Sequence, residues 1–125
     1  MPKLAEANYE FDMVKEMTSM EWYENLYIGN NAQKKKHSLI RKIESEKAPL
    51  EVFLITLPSG QRNQLEIMSA WNLKFWYHRK NCPMIVGLAC GWEEALELVV
   101  QITEEVLEKT GSVELKNYFL NHSGA

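Results

Sequence analysis

Three side chains that could carry out chemistry, His78, Cys82 and Cys90, lie close together in the sequence. A thiol at the start of a helix can be stabilised as a thiolate, and a histidine can serve as its base. Cys90, with His78 as base and Glu66 to orient it, is therefore the candidate nucleophile of a small enzyme. Nothing in the spacing selects these residues, because such groups come together only in the folded chain. The sequence therefore assigns no catalytic residue.

The same residues do not form a recognisable metal or cofactor motif. The spacing H-x3-C-x7-C fits no standard zinc arrangement and supplies only three ligands. Two cysteines also fall short of a disulfide framework. The turn predicted at residues 87–91 lacks both G-x-G-x-x-G and G-x-x-x-x-G-K-[ST]. We expect no metal and no cofactor.

Anion binding is a second chemistry that the sequence could support. Backbone N–H groups at a helix start attract anions, and aromatic side chains in residues 71–80 could stack on exposed bases. The candidate contacts for an anion or nucleic acid are Lys34, Lys35, Arg41, Lys42, Arg79 and Lys80. The pI of about 5.6 argues against this role, because nucleic-acid-binding domains are usually basic overall.

Charge is distributed unevenly along the chain. Residues 1–28 hold two lysines against six acids, residues 29–82 hold ten Lys or Arg against four Glu, and residues 83–125 hold two lysines against seven Glu. This pattern has two readings: the fold has a basic side, or the segments neutralise one another.

The elements that would position these residues form one domain, 1–125, with residues 1–8 expected to be flexible. Hydrophobic periodicity predicts helices at 9–25, 32–47, 92–109 and 113–121, strands at 26–28, 50–57, 64–70 and 84–89, and a helix in preference to a strand at 71–80. Asn30 or Asn31 is expected to cap the helix 32–47.

The predicted class is α+β, with a small mixed or antiparallel sheet and a long C-terminal amphipathic helix. The βαββαβ order of the central elements is that of a ferredoxin-like domain, which would place the helices on one face of the sheet. The apolar arc of the helix 92–109 is wider than one sheet face is expected to cover, and its opposite face is acidic. We therefore expect a homodimer or another protein partner.

The segments LEVFLITLP, QLEI, MIVGLACGWEEALELV and EKTGS resemble a pattern in uncharacterised small cytosolic proteins of clostridial-type bacteria. The resemblance spans roughly residues 26–120 and implies a bacterial origin without implying any chemistry. No window is apolar for the length of a membrane span, and the N-terminus lacks the apolar core of a signal peptide, so a cytoplasmic protein without membrane contact is expected.

These observations favour a non-enzymatic binding or regulatory module that acts through protein–protein contacts. Two alternatives remain open. One is a nucleic-acid-binding module that uses the basic helix 34–42 and the aromatic and basic segment 71–80, and the other is a small enzyme with a His/Cys site.

Overall fold

A four-stranded mixed sheet forms the centre of the protein. The structure, a computed structural model, describes residues 20–60 and 64–122, apart from the side chains of residues 76, 77 and 122. The strands are β1 Trp22–Ile28, β2 Val52–Thr56, β3 Glu66–Ser69 and β4 Ile85–Cys90. Their order in the sheet is β1-β4-β2-β3, with β1 parallel to β4 and the other two pairs antiparallel.

Helices cover both faces of this sheet. They are α1 Asn30–Gln33, α2 Lys36–Glu44, a 3-10 helix Ala70–Lys74, α3 Trp76–Lys80, α4 Trp92–Thr110 and α5 Leu115–His122. The first three of these pack on one face, whereas α4 and α5 pack on the other. The α+β class and the long C-terminal helix are confirmed.

The expectation of helices on one face only is wrong, and the central strand β2 shows why. Val52 and Leu54 are buried on the α2 side, whereas Ile55 lies in the core under α4. A strand that is apolar on both faces needs cover on both faces. The βαββαβ order along the chain is as predicted. The parallel β1–β4 pair nevertheless distinguishes this sheet from the all-antiparallel sheet of a ferredoxin-like domain.

The N-terminal part of the prediction needs correction. Residues 22–25 were expected to be helical but belong to β1, because their backbone is held in the sheet beside β4, with Trp22 opposite Ile85. The remainder of that predicted helix up to residue 19, and the flexible segment 1–8, lie outside the described residues.

Two other segments differ in detail from the prediction. The helix expected at 32–47 is divided into α1 and α2, and the N-cap is Gly29 rather than Asn30 or Asn31. The segment 71–80 is helical, as favoured, but it is split into the 3-10 helix and α3.

The C-terminal part agrees closely with the sequence pattern. α4 ends at Thr110, and Gly111 follows in the left-handed conformation with a φ of 73°. A glycine at this position adopts a positive φ without steric cost. Among the described helices, none is long and apolar enough to span a membrane.

Candidate docking surface

One face of α4 is anchored in the core. Ala95, Leu98, Ile102 and Val106 are buried against the sheet. Their spacing of three or four residues places them in one row on the helix. This row uses only part of the apolar arc that the sequence contains.

The rest of the apolar arc is mostly exposed and runs along one side of the helix, interrupted by Thr103. We call it the α4 stripe: Trp92, Leu96, Val99, Val100 and Leu107. Trp92 is 52% exposed, Leu96 44%, Val100 55% and Leu107 46%, while Val99 is half-buried. The row is about 22 Å long at 1.5 Å per residue. Single exposed apolar residues are ordinary, whereas large apolar patches are typical of interaction surfaces, and the stripe is therefore the candidate docking surface.

Contacts on the two flanks of α4 define which way the stripe faces. The Trp92 ring packs edge-to-face on Phe53 of β2, with the ring centroids 5.6 Å apart. On the other flank, Glu105 accepts a hydrogen bond from Tyr27 of β1. Burial raises the pKa of the Tyr27 hydroxyl, and the Glu105 carboxylate raises it further. The stripe therefore faces the β2–β3 side of the sheet.

Beside the stripe, the sheet itself is only partly covered. Phe53, Leu65 and Ile67 are half-buried and contact the core under α4. Of the two described helices on this face, α4 lies over β4 and β2, and α5 packs Phe119 against Tyr23 of β1. No described helix covers β3 here. The stripe and this part of the sheet form a wall and a floor, which we call the α4–β3 groove.

An acidic row borders the stripe on its solvent side. Its members are exposed and follow each other along the helix: Glu93, Glu97, Glu104 and Glu108. Within α4 the only basic residue is Lys109, at its C-terminal end. The candidate docking surface thus has an apolar centre and one strongly negative border.

The predicted basic contacts lie away from this border. Lys34, Lys35, Arg41, Lys42 and Lys80 are exposed, as an anion contact would require. They belong to the layer that contains α1, α2 and the 3-10 helix, to which Arg79 joins α3, on the opposite side of the sheet from α4. Among the described residues, the predicted basic contacts and the acidic row therefore lie on opposite faces of the sheet.

Arg79 has to be removed from the predicted anion contacts. It is only 5% exposed, and its Nη2 donates to the carbonyl oxygens of Ile43 at 2.6 Å and Glu44 at 3.0 Å. Its Nε lies 3.6 Å from a carboxylate oxygen of Glu46. These contacts cap the C-terminal end of α2, where unpaired carbonyls and the helix dipole both favour a cation.

A second cluster of interest lies where the parallel strands β1 and β4 end. Glu94 accepts hydrogen bonds from the backbone N–H of Asn31 at 2.7 Å and of Cys90 at 2.6 Å. Gly29 allows this arrangement, because a Cβ at that position would overlap the Glu94 side chain. After β1 the chain continues into α1 on one face of the sheet, and after β4 it continues into α4 on the other face. Open α/β sheets usually bind ligands at the strand ends where connections diverge in this way. Here the protein's own carboxylate occupies the backbone donors.

The His/Cys hypothesis finds no geometric support at this position. Cys90 lines a shallow depression of about 410 Å³ together with Asn31, Gly91 and Trp92, and His78 is not among the lining residues. Burial raises the pKa of the Cys90 thiol, and Lys35 only partly opposes this. This direction gives no support to the thiolate expected at the helix start.

The remaining candidates lie apart from that depression. His78 is exposed on α3 with its ring against Phe75, and Glu66 begins β3. The Cys82 thiol donates to the carbonyl of Pro83 at 3.3 Å, and burial raises its pKa to about 11. Within the described residues, no group of three or more His, Cys, Asp or Glu side chains could hold a metal ion.

Comparison with known proteins gave no relative: no family model, no curated protein and no solved structure matches this chain. The site is therefore interpreted from its own geometry.

Sequence reasoning recognised the wide apolar arc of α4 but not its division into a buried and an exposed row. It also treated Glu94 as part of a solvated acidic face. A usable signal was present, because Glu94 is the third residue after the N-cap Gly91, the position from which a Glu reaches back to backbone N–H groups.

Proposed function

We propose that this chain is a non-enzymatic binding module that acts through protein–protein contacts, with the α4 stripe as its docking surface. One observation supports this most directly: four large apolar side chains, Trp92, Leu96, Val100 and Leu107, are exposed along one side of α4. Aromatic and aliphatic anchors of this kind supply most of the binding energy in protein interfaces. Charge complementarity requires a partner protein whose contact surface is apolar at its centre and basic at its rim.

The alternatives draw less support from the geometry. An enzyme would need an activated nucleophile with a base in reach, whereas the Cys90 thiol has a raised pKa and His78 lies elsewhere. A nucleic-acid module of the predicted kind loses Arg79 to the interior. A bacterial origin and a cytoplasmic location are part of the proposal and rest on the sequence resemblance alone.

The test compares three baits in cells that express the chain: wild type, Leu96→Asp/Val100→Asp, and the control Val113→Asp, which alters an equally exposed valine outside the stripe. A partner enriched by wild type is purified and its affinity for each bait is measured by calorimetry. We expect the double variant to weaken binding by about 100-fold and the control to leave it within about twofold.

Circular dichroism should show that all three baits are folded, because the substituted side chains are exposed and contribute little to stability. Equal affinity of the partner for all three baits would contradict the proposal. So would a wild-type bait that enriches no protein over the double variant.

A further inference from the structure

We infer that the partner presents a single amphipathic α-helix with Lys or Arg along its flank, and that this helix lies in the α4–β3 groove. The inference rests on the proposed function and specifies the partner of the same surface. It follows from the width of the groove, the spacing of the stripe and the sign of the charge at its border.

The width expected of the groove from helix and strand spacing matches one helix. Packed helices lie 8–10 Å apart, and neighbouring strands are separated by about 4.8 Å, so a helix beside α4 would sit roughly two strands further across the sheet. α4 contacts β4 and β2, and the next strand in that direction is β3, at the edge of the sheet. The floor residues Phe53, Leu65 and Ile67 are half-buried there and would be covered by such a helix.

The spacing of the stripe is that of a helix–helix seam. Trp92, Leu96 and Val100 follow each other at intervals of four residues, Val99 lies three residues after Leu96, and Thr103 is half-buried one turn further on. Side chains at this spacing interdigitate with the same spacing on a second helix. Trp92, held at one end by Phe53, provides a rigid aromatic anchor.

Charge argues against a second copy of α4 as the occupant. A two-fold axis through the middle of the stripe would place Glu97 close to Glu104 of the other copy, so that the acidic borders face each other. Like charges in apposition disfavour such a pairing. Residues 1–19 of the chain, with four acids and two lysines, carry the same sign.

The basic helix α2 does not fit the groove either. Its apolar residues Leu39 and Ile43 are buried in the core on the opposite face of the sheet, so they are not available to an apolar seam. The chemistry that remains is a helix from another protein, apolar on one side, with Lys or Arg placed to meet Glu97 and Glu104.

The experiment uses two designed helical peptides of about 18 residues, slightly longer than the stripe at 1.5 Å per residue. Both carry leucines along one side. The first has lysines on the flanks of the leucine row, and the second has glutamates there. Binding to the full chain is followed by the anisotropy of a dye on each peptide, at two salt concentrations. We expect the lysine peptide to bind at least about tenfold tighter, with the difference shrinking at high salt.

Two charge variants make the test specific to the groove. Glu97→Lys/Glu104→Lys should reverse the preference toward the glutamate peptide, because a like-charge contact replaces each favourable one. Glu44→Lys/Glu51→Lys changes the net charge equally, but these exposed residues do not lie on α4, and the preference should keep its sign. Leu96→Asp should weaken both peptides at least about tenfold.

Equal affinity for the two peptides, no binding of either, or a reversal by the control variant would overturn the inference. A dimer in sedimentation that Leu96→Asp dissociates would also overturn it, because the occupant would then be a second copy. If a native partner requires the stripe but the lysine peptide does not compete with it, the helix inference fails while the proposed function stands.

Discussion

Replacing Glu94 with alanine is expected to destabilise the fold where β1 and β4 end. The carboxylate joins the start of α1 to the end of β4, because it accepts one N–H from Asn31 and one from Cys90. Without it, both N–H groups lose their side-chain acceptor. The first turn of α4 also loses a negative charge that favours the helix dipole.

The magnitude follows from these contacts. A hydrogen bond to a charged group contributes about 1.5–3 kcal/mol, and the half-buried position of Glu94, which lets water replace part of the interaction, favours the lower end. Glu94→Ala should therefore lower the free energy of unfolding by about 2–3 kcal/mol, and Tm by roughly 6–12 °C. The matched control is Glu93→Ala, which removes an exposed charge from the same helical turn and should cost at most about 1 kcal/mol.

Gly29→Ala provides an independent test of the same contact. The new Cβ would displace the Glu94 side chain, so the single variant should lose about as much stability as Glu94→Ala. In the Glu94→Ala background the clash is absent, and Gly29→Ala should then cost no more than about 1 kcal/mol. Urea denaturation followed by circular dichroism measures all four proteins.

Two results would refute the reasoning. If the effects of Gly29→Ala and Glu94→Ala simply add, the glycine is not required by the carboxylate. If Glu93→Ala costs as much as Glu94→Ala, the helix dipole rather than the two hydrogen bonds accounts for the effect.

Three further predictions concern the interior. Arg79→Met should lower the free energy of unfolding by about 2–4 kcal/mol in urea denaturation, because it leaves carbonyl oxygens at the end of α2 unpaired. The control Arg41→Met replaces an exposed arginine and should change this free energy by less than about 0.5 kcal/mol. Gly87→Val should lower the free energy of unfolding by about 2–3 kcal/mol in the same assay, because even a Cβ there would lie 3.1 Å from the buried Ile55 side chain. An unchanged urea midpoint would show that the packing around Gly87 can adjust. Cys82 should react slowly with a disulfide reagent at pH 7, and faster as the pH approaches its pKa of about 11. Because that pKa lies above the ordinary 9.0, the contribution of the Cys82 thiol to stability should be present below pH 9 and decline as the pH rises toward 11. In thermal melts, Cys82→Ala should reduce this decline.

Much of the fold could be predicted because the signals are local. The apolar period of α4, its acidic first turn and the glycine after its end are all read within a few residues. The same holds for β2, whose unbroken apolar run indicated a central strand. Residues 22–25 were mispredicted as helix because their apolar residues fit either period, and only pairing with β4 decided between the two.

The candidate site could be predicted only in part. The width of the apolar arc on α4 predicted a surface for a partner, but it did not predict which side of the arc would be exposed. Arg79 illustrates the opposite error, since its basic neighbours suggested a surface contact and its real partners are carbonyl oxygens of α2, distant in sequence.

The sequence by itself determined the order of the elements, the amphipathic character of α4 and the unequal charge of the three segments. Only the tertiary structure decided that the basic and acidic helices lie on opposite faces of the sheet, and that Trp92, Leu96, Val100 and Leu107 remain exposed. The physical reason is that helix and strand formation depend on neighbouring residues. The burial of a given side chain depends instead on which distant element packs against it, and the described chain places α5 and β1 on one flank of α4 and no helix on the other.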